Sequence, residues 1–121
     1  MKTSDKKRVI DMFVSKFNGT YKRLSPKDAD YRIYDKDGEI IAYAEIRIID
    51  KPMSKAYPLP MSARKIVKVC DKMLNPVVIW GCLDGIIYGN PTKISGVSSY
   101  IDNEIMLHYK KQKQLKYYRY Y

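Results

Sequence analysis

The 121 residues include few of the types that most often mark a known chemistry: six glycines, six prolines, two cysteines, two phenylalanines, one tryptophan and one histidine. Each shortage closes a class. Cys70 and Cys82 are too few for the disulfide framework of a small secreted domain and lack metal-ligand spacing, so both are expected to be reduced core residues. His108 has no Cys or Ser partner at a spacing that a hydrolytic triad uses, and a surface or packing role is expected for it. No glycine falls in a G-x-G-x-x-G or Walker arrangement, which removes the common nucleotide phosphate loops. No apolar run approaches the roughly 18 to 20 residues of a membrane span, and the opening MKTSDKKRVIDMF has no signal-peptide apolar core. A single cytoplasmic domain without a membrane partner is the expectation, because a chain this long can bury one core and not two.

Acidic residues are also scarce. Against 23 Lys plus Arg stand 13 Asp plus Glu, a formal net charge of +10. That balance makes a polyanion the default partner, since Lys and Arg release counterions from a phosphate backbone and steer association. Tyrosine is the one abundant aromatic, with twelve copies. Its apolar ring and polar tip suit half-buried strand positions and base stacking alike.

Periodicity gives the element order. From Thr3 or Ser4 to Phe17, the residues Ile10, Phe13, Val14 and Phe17 recur at helical spacing until Asn18-Gly19 stops them. Thr20 to Leu24 reads as a short strand ended by Ser25-Pro26. Tyr31 to Tyr34, the turn Asp35-Lys36-Asp37-Gly38 and the run Glu39 to Ile49 read as a hairpin. A loop with Pro52, Pro58 and Pro60 follows, and Ser62 then caps a second helix with Ile66, Val69, Cys70 and Met73 on its apolar stripe. Val77 to Trp80 is continuously apolar, as in a strand covered on both faces, and Ile86 to Tyr88 continues after the Asp84-Gly85 turn. Asn90 to Ser99 is turn-rich, Glu104 to Tyr109 suits a last strand or short helix, and residues 110–121 form a basic, tyrosine-rich tail beyond a domain of residues 1–109. The order predicts an α/β sandwich with a mixed sheet.

Two charges interrupt the long strand. Glu45 and Arg47 leave the face shared with Ile41, Tyr43 and Ile49, and a desolvated carboxylate costs several kcal/mol unless a partner or cation offsets it. A Glu45–Arg47 cross-strand network or a solvent-facing sheet would satisfy that need structurally. A functional alternative needs a second carboxylate, and Asp30, at the start of the preceding strand, is the candidate. A two-residue turn flanked by Asp35 and Gly38 puts Asp30 opposite Tyr43 and one diagonal step from Glu45. A three-residue loop with regular pairing puts Asp30 on the other face. Two carboxylates on one face would seat Mg²⁺, which is usually held by one or two carboxylates with water and a phosphate oxygen.

Asp30, the hairpin with Asp37-Gly38-Glu39, and Ala44-Glu45-Ile46-Arg47 resemble the core of the PD-(D/E)XK nucleases. The further run through Tyr57-Pro58, Met61-Ser62 and Lys65 to Val78-Ile79-Trp80 and Asp84-Gly85 looks like small bacteriophage-encoded members. The similarity covers roughly residues 5 to 90. It implies a restriction-endonuclease-like αβββαβ core and Mg²⁺- or Mn²⁺-dependent hydrolysis of DNA, with RNA as the other nucleic acid. The implied ligands are Asp30, Glu45 and the Ile46 backbone carbonyl, with Asp11 on the first helix as an added acidic residue. Arg47 stands where the family has lysine. Arginine stays protonated, so it can stabilise transition-state charge but cannot act as a base, and Lys65 or Lys51 is the substitute. Lys51, Lys55, Ser62, Arg64 and Lys68 are expected to meet the nucleic acid, and a homodimer would let so small a nuclease cut both strands. The alternative is a catalytically silent nucleic-acid-binding or virion-associated protein that keeps the fold. An RNA-binding module of other ancestry would be favoured by Asp30 and Glu45 carboxylates more than about 8 Å apart.

Overall fold

A computed structural model describes residues 3–25, 29–72, 74–93, 98–101, 104–107 and 115–120. The elements in chain order are α1 (Thr3–Ser15), β1 (Thr20–Arg23), β2 (Tyr31–Tyr34), β3 (Ile40–Ile48), a single 3₁₀ turn (Met53–Lys55), β4 (Leu59–Ser62), α2 (Ala63–Cys70), β5 (Pro76–Gly81), β6 (Gly85–Gly89), β7 (Ser98–Ile101), β8 (Glu104–Leu107) and β9 (Lys116–Arg119). A six-stranded sheet runs β1-β2-β3-β5-β6-β9, and a three-stranded one runs β4-β8-β7. Every pairing is antiparallel except β3 with β5, so the larger sheet is mixed, as expected. The parallel pair is joined through α2, as a crossover connection requires.

The main sheet is covered on both faces. On one face α1 lays Val9, Ile10, Phe13 and Val14 against Tyr31, Ile33, Ala42, Ala44, Ile46, Ile79 and Ile86. On the other, Val78, Trp80 and Ile87 pack with Leu59, Met61 and Leu107 of the smaller sheet and with Met53 and Ala56 of the loop. The indole N–H of Trp80 donates to the Pro60 carbonyl at 2.7 Å and ties the two sheets together. Alternation assigns these faces: Val78 and Trp80 point one way, Ile79 the other. α1 ends as expected, with Asn18 at φ 57° and the Gly19 amide donating to the Val14 carbonyl at 3.0 Å.

Three elements differ from the sequence expectation. The proline-rich loop contains β4, whose Pro60 pairs with Met106. β4 is an edge strand, where proline's missing N–H costs no ladder bond. Residues 116–119 are not a tail: β9 pairs with β6 as an edge of the main sheet, and Leu115 before it is buried. β7 (Ser98–Ile101) begins inside the stretch to Ser99 that reads as turn-rich in the sequence, while Glu104–Leu107 resolves as strand rather than helix. Both cysteines are free, with Cys82 buried and Cys70 half-buried. The reading of Met73 as a stripe residue, of Pro26 as a break and of His108 as a surface or packing residue lies outside the described residues.

Candidate active site

The hairpin sets the site, and its register matches neither sequence alternative. Gly38, at φ 84°, closes a three-residue loop, with Asp35 N–H on the Glu39 carbonyl at 2.9 Å. Tyr34 then pairs with Ile40, but Ile33 pairs with Ala42, so Ile41 is an extra residue in β3. Beyond this bulge the pairing runs Arg32 with Tyr43 and Tyr31 with Ala44, and one further step brings Asp30 opposite Glu45. The bulge thus undoes what the three-residue loop alone would have done. Asp30 meets Glu45 directly rather than diagonally.

Among the described residues Glu45 is the one charged residue in the buried core, 0% exposed, on the Val78 and Trp80 face of the sheet. Its carboxylate oxygens face Asp30 and Lys65, and no neutral donor among the described residues reaches them. Lys65, in the first turn of α2, brings its Nζ to 3.7 Å from Glu45 Oε2 and 3.6 Å from Asp30 Oδ1. Both carboxylates therefore lie around one ammonium, closer together than the ~8 Å that would bar a shared cation. Asp30 Oδ2 accepts the Ile46 amide at 2.9 Å and Lys6 Nζ at 3.2 Å. Burial works against its charge, yet the Ile46 amide and Lys6 hold the Asp30 carboxyl below the usual range. Burial, and the Asp30 charge beside it, push Glu45 up to about 8. The pair thus divides as two close carboxylates must: Asp30 ionised, Glu45 holding a proton at neutral pH.

A cleft of about 180 Å³ opens beside Asp30, lined by Lys6, Arg23, Leu24, Ser25, Tyr31 and Lys65. Lys6 was not singled out in the sequence. Its signal was there: it stands three and four positions before Val9 and Ile10, so it is a cation on the buried stripe of α1.

Arg47 is turned elsewhere. Its guanidinium is bonded to Glu104 of β8, so the cross-strand Glu45–Arg47 network does not form. Ser62, opposite Glu104 in the β4–β8 register, precedes α2 without a side-chain capping bond. Lys51, Lys55 and Arg64 are exposed, and Lys68 is half-buried. Asp11 bonds to Lys7 and to the Tyr21 hydroxyl, each at 2.8 Å, on an exposed side of α1, and among the described residues neither bond reaches Asp30 or Glu45.

The donor set fits a hard divalent cation in one respect, a buried carboxylate beside a second carboxylate, both oxygen ligands of the kind Mg²⁺ prefers. No third His, Cys, Asp or Glu joins them among the described residues. A cation there would draw on backbone carbonyl, water and substrate oxygens for its remaining positions. Comparison with family models, with curated proteins and with solved structures returns no match to this chain.

Proposed function

We propose that the chain is a metal-dependent nuclease hydrolysing DNA phosphodiester bonds, built on a restriction-endonuclease-like core. The observation that carries this reading is Glu45: a fully buried carboxyl beside Asp30 and under Lys65. A purely structural pair of acids at such a position would be costly, because desolvating a carboxylate beside a like charge costs several kcal/mol. The order α1-β1-β2-β3-α2-β5, with β4 inserted ahead of α2, and the mixed sheet support the proposed core.

Asp30 and Glu45 would hold Mg²⁺ or Mn²⁺, with the Ile46 carbonyl as the backbone ligand the resemblance implies. When bound, the cation supplies Lewis acidity at the phosphoryl group and lowers the pKa of a water. The Ile46 amide fixes Asp30 Oδ2 and so leaves Oδ1 to face Lys65. Glu45 must give up its proton to solvent before it can serve as a ligand. Lys65 takes the role the family gives to the strand lysine, because its Nζ stands at both carboxylates while Arg47 is engaged by Glu104. As an ammonium it stabilises charge on the non-bridging phosphate oxygens as the pentavalent transition state forms. Lys51, Lys55, Arg64 and Lys68 supply sequence-independent phosphate contacts.

The test is digestion of plasmid and single-stranded DNA with Mg²⁺ or Mn²⁺. The wild type cleaves, and Asp30→Asn and Glu45→Gln lose at least about a hundredfold in rate. Absence of metal-dependent cleavage, or cleavage indifferent to Glu45→Gln, overturns the reading. DNA binding without cleavage would leave the silent nucleic-acid-binding protein in its place.

A further inference from the structure

Asp30 has more positive charge around it than one carboxylate needs. Lys6 Nζ lies 3.2 Å from Oδ2 and Lys65 Nζ 3.6 Å from Oδ1, so each oxygen faces its own ammonium. Oδ2 also takes the Ile46 amide. Beside this crowded carboxylate, Glu45 has for counter-charge only the shared Lys65, 3.7 Å from Oε2. Lys6 is thus the ammonium that serves Asp30 alone. Lys6 and Lys65 also form the wall of the same cleft as Arg23 and Ser25, a space large enough for a phosphate group. Lys6 is anchored by its helix: Val9 and Ile10, one turn on, are buried against the sheet, which fixes the stem while the ammonium end borders the cleft.

We propose that Lys6 is a built-in stand-in for the divalent cation. It pairs with Asp30 when no cation is present, is displaced when a cation takes that carboxylate, and then turns into the cleft to meet a phosphate oxygen of the substrate. This rests on the metal-dependent reading of the site and adds to it a residue and an order of events. A divalent cation on Asp30 repels the ammonium 3.2 Å from Oδ2, so cation and Lys6 compete. A phosphate that receives the released ammonium favours cation binding in turn, and by linkage the cation favours the phosphate. Lys65, which touches both carboxylates at longer range, must also draw aside for a cation that both hold, and keeps its place at the rim of the cleft.

The measurement is Mn²⁺ binding by the full chain without nucleic acid, read from the resonance of free Mn²⁺. Lys6→Met should bind Mn²⁺ about tenfold more tightly than the wild type, as loss of a charge-assisted bond to one ligand implies. Lys6→Arg keeps the charge and should stay near the wild-type value. In cleavage assays Lys6→Met should raise the KM for DNA several-fold. A wild-type readout covers the case in which a variant misfolds: acylation of Lys6 by an amine-reactive ester, followed by mass spectrometry, should quicken several-fold on adding Mn²⁺. Lys6→Met binding Mn²⁺ no better than the wild type, or Lys6 labelling unchanged by Mn²⁺, overturns the proposal and leaves the nuclease reading standing. Mn²⁺ binding by neither wild type nor Lys6→Met overturns both.

Discussion

Glu45 is an acid kept protonated by its surroundings, and its pH behaviour follows from that. Its folded value of about 8 lies above the ordinary 4.5, so the folded state holds this proton more tightly than the unfolded chain does. The contribution to stability is complete below about pH 4.5, is lost as pH rises, and has gone by about pH 8. Thermal melts of the metal-free protein should therefore show Tm falling across this interval, and Glu45→Gln, which cannot titrate, should flatten the fall. Added Mg²⁺ should raise Tm more at pH 8 than at pH 6, since the ligand is then deprotonated without cost. Lys65 and Arg47 should separate cleanly in kinetics. Lys65→Met is expected to lower kcat about a hundredfold, whereas Arg47→Lys, whose partner is Glu104 rather than the carboxylate pair, should change cleavage less than about threefold. These residues differ in how legible they were. Glu45 showed itself because a charge amid Ile41, Tyr43 and Ile49 breaks an apolar face, and Asp30 because the strand before it needed a carboxylate to match. Lys6 did not, since a lysine near a helix start among Lys2 and Lys7 looks like a solvated charge until the stripe through Val9 and Ile10 is extended back to it.

At the scale of elements, helices and buried strands were readable because their periodicity is strong: α1, β3, β5 and β6 fall close to where the apolar spacing puts them. The hairpin register was not readable, because an extra residue such as Ile41 leaves no compositional mark and is chosen by the packing of both faces. β4 and β9 were missed for opposite reasons. Pro60 makes one look like loop, and the run Lys-Tyr-Tyr-Arg gives the other no apolar alternation, its side chains being largely exposed. The contact of α1 with β5 offers a stability test. A Cβ at Gly81 would lie 2.4 Å from Val9 Cγ2 and 3.0 Å from Ile48 Cδ1, so Gly81→Ala must displace the Val9 side chain or, with it, the helix. Urea unfolding should show a loss of about 1–3 kcal/mol, the usual cost of overpacking. A shift of the helix moves Lys6 relative to Asp30, so cleavage should then fall more in this variant than its folded fraction accounts for.

Across the whole molecule, the net charge of +10 surrounds a site whose own business is with carboxylates. On the proposed reading, affinity for DNA is a matter of the surface and chemistry a matter of one buried and one half-buried acid. Binding should weaken at least about tenfold between 50 and 200 mM salt, while the Glu45→Gln protein should bind DNA with the same salt dependence as the wild type, since it loses no surface cation. A filter-binding series at several salt concentrations would check both statements. Trp80 has a consequence of another kind. It is the sole tryptophan, only 3% exposed, its indole held to the Pro60 carbonyl at the junction of the two sheets and its backbone in register with Arg47. The intrinsic fluorescence of this protein is therefore the signal of one seam. Emission should be blue-shifted while β4 stays seated on the main sheet, and should move to the red when that strand lifts away, even if the circular dichroism of the six-stranded sheet has not yet changed. The chain carries its own optical gauge of how firmly its smaller sheet is docked.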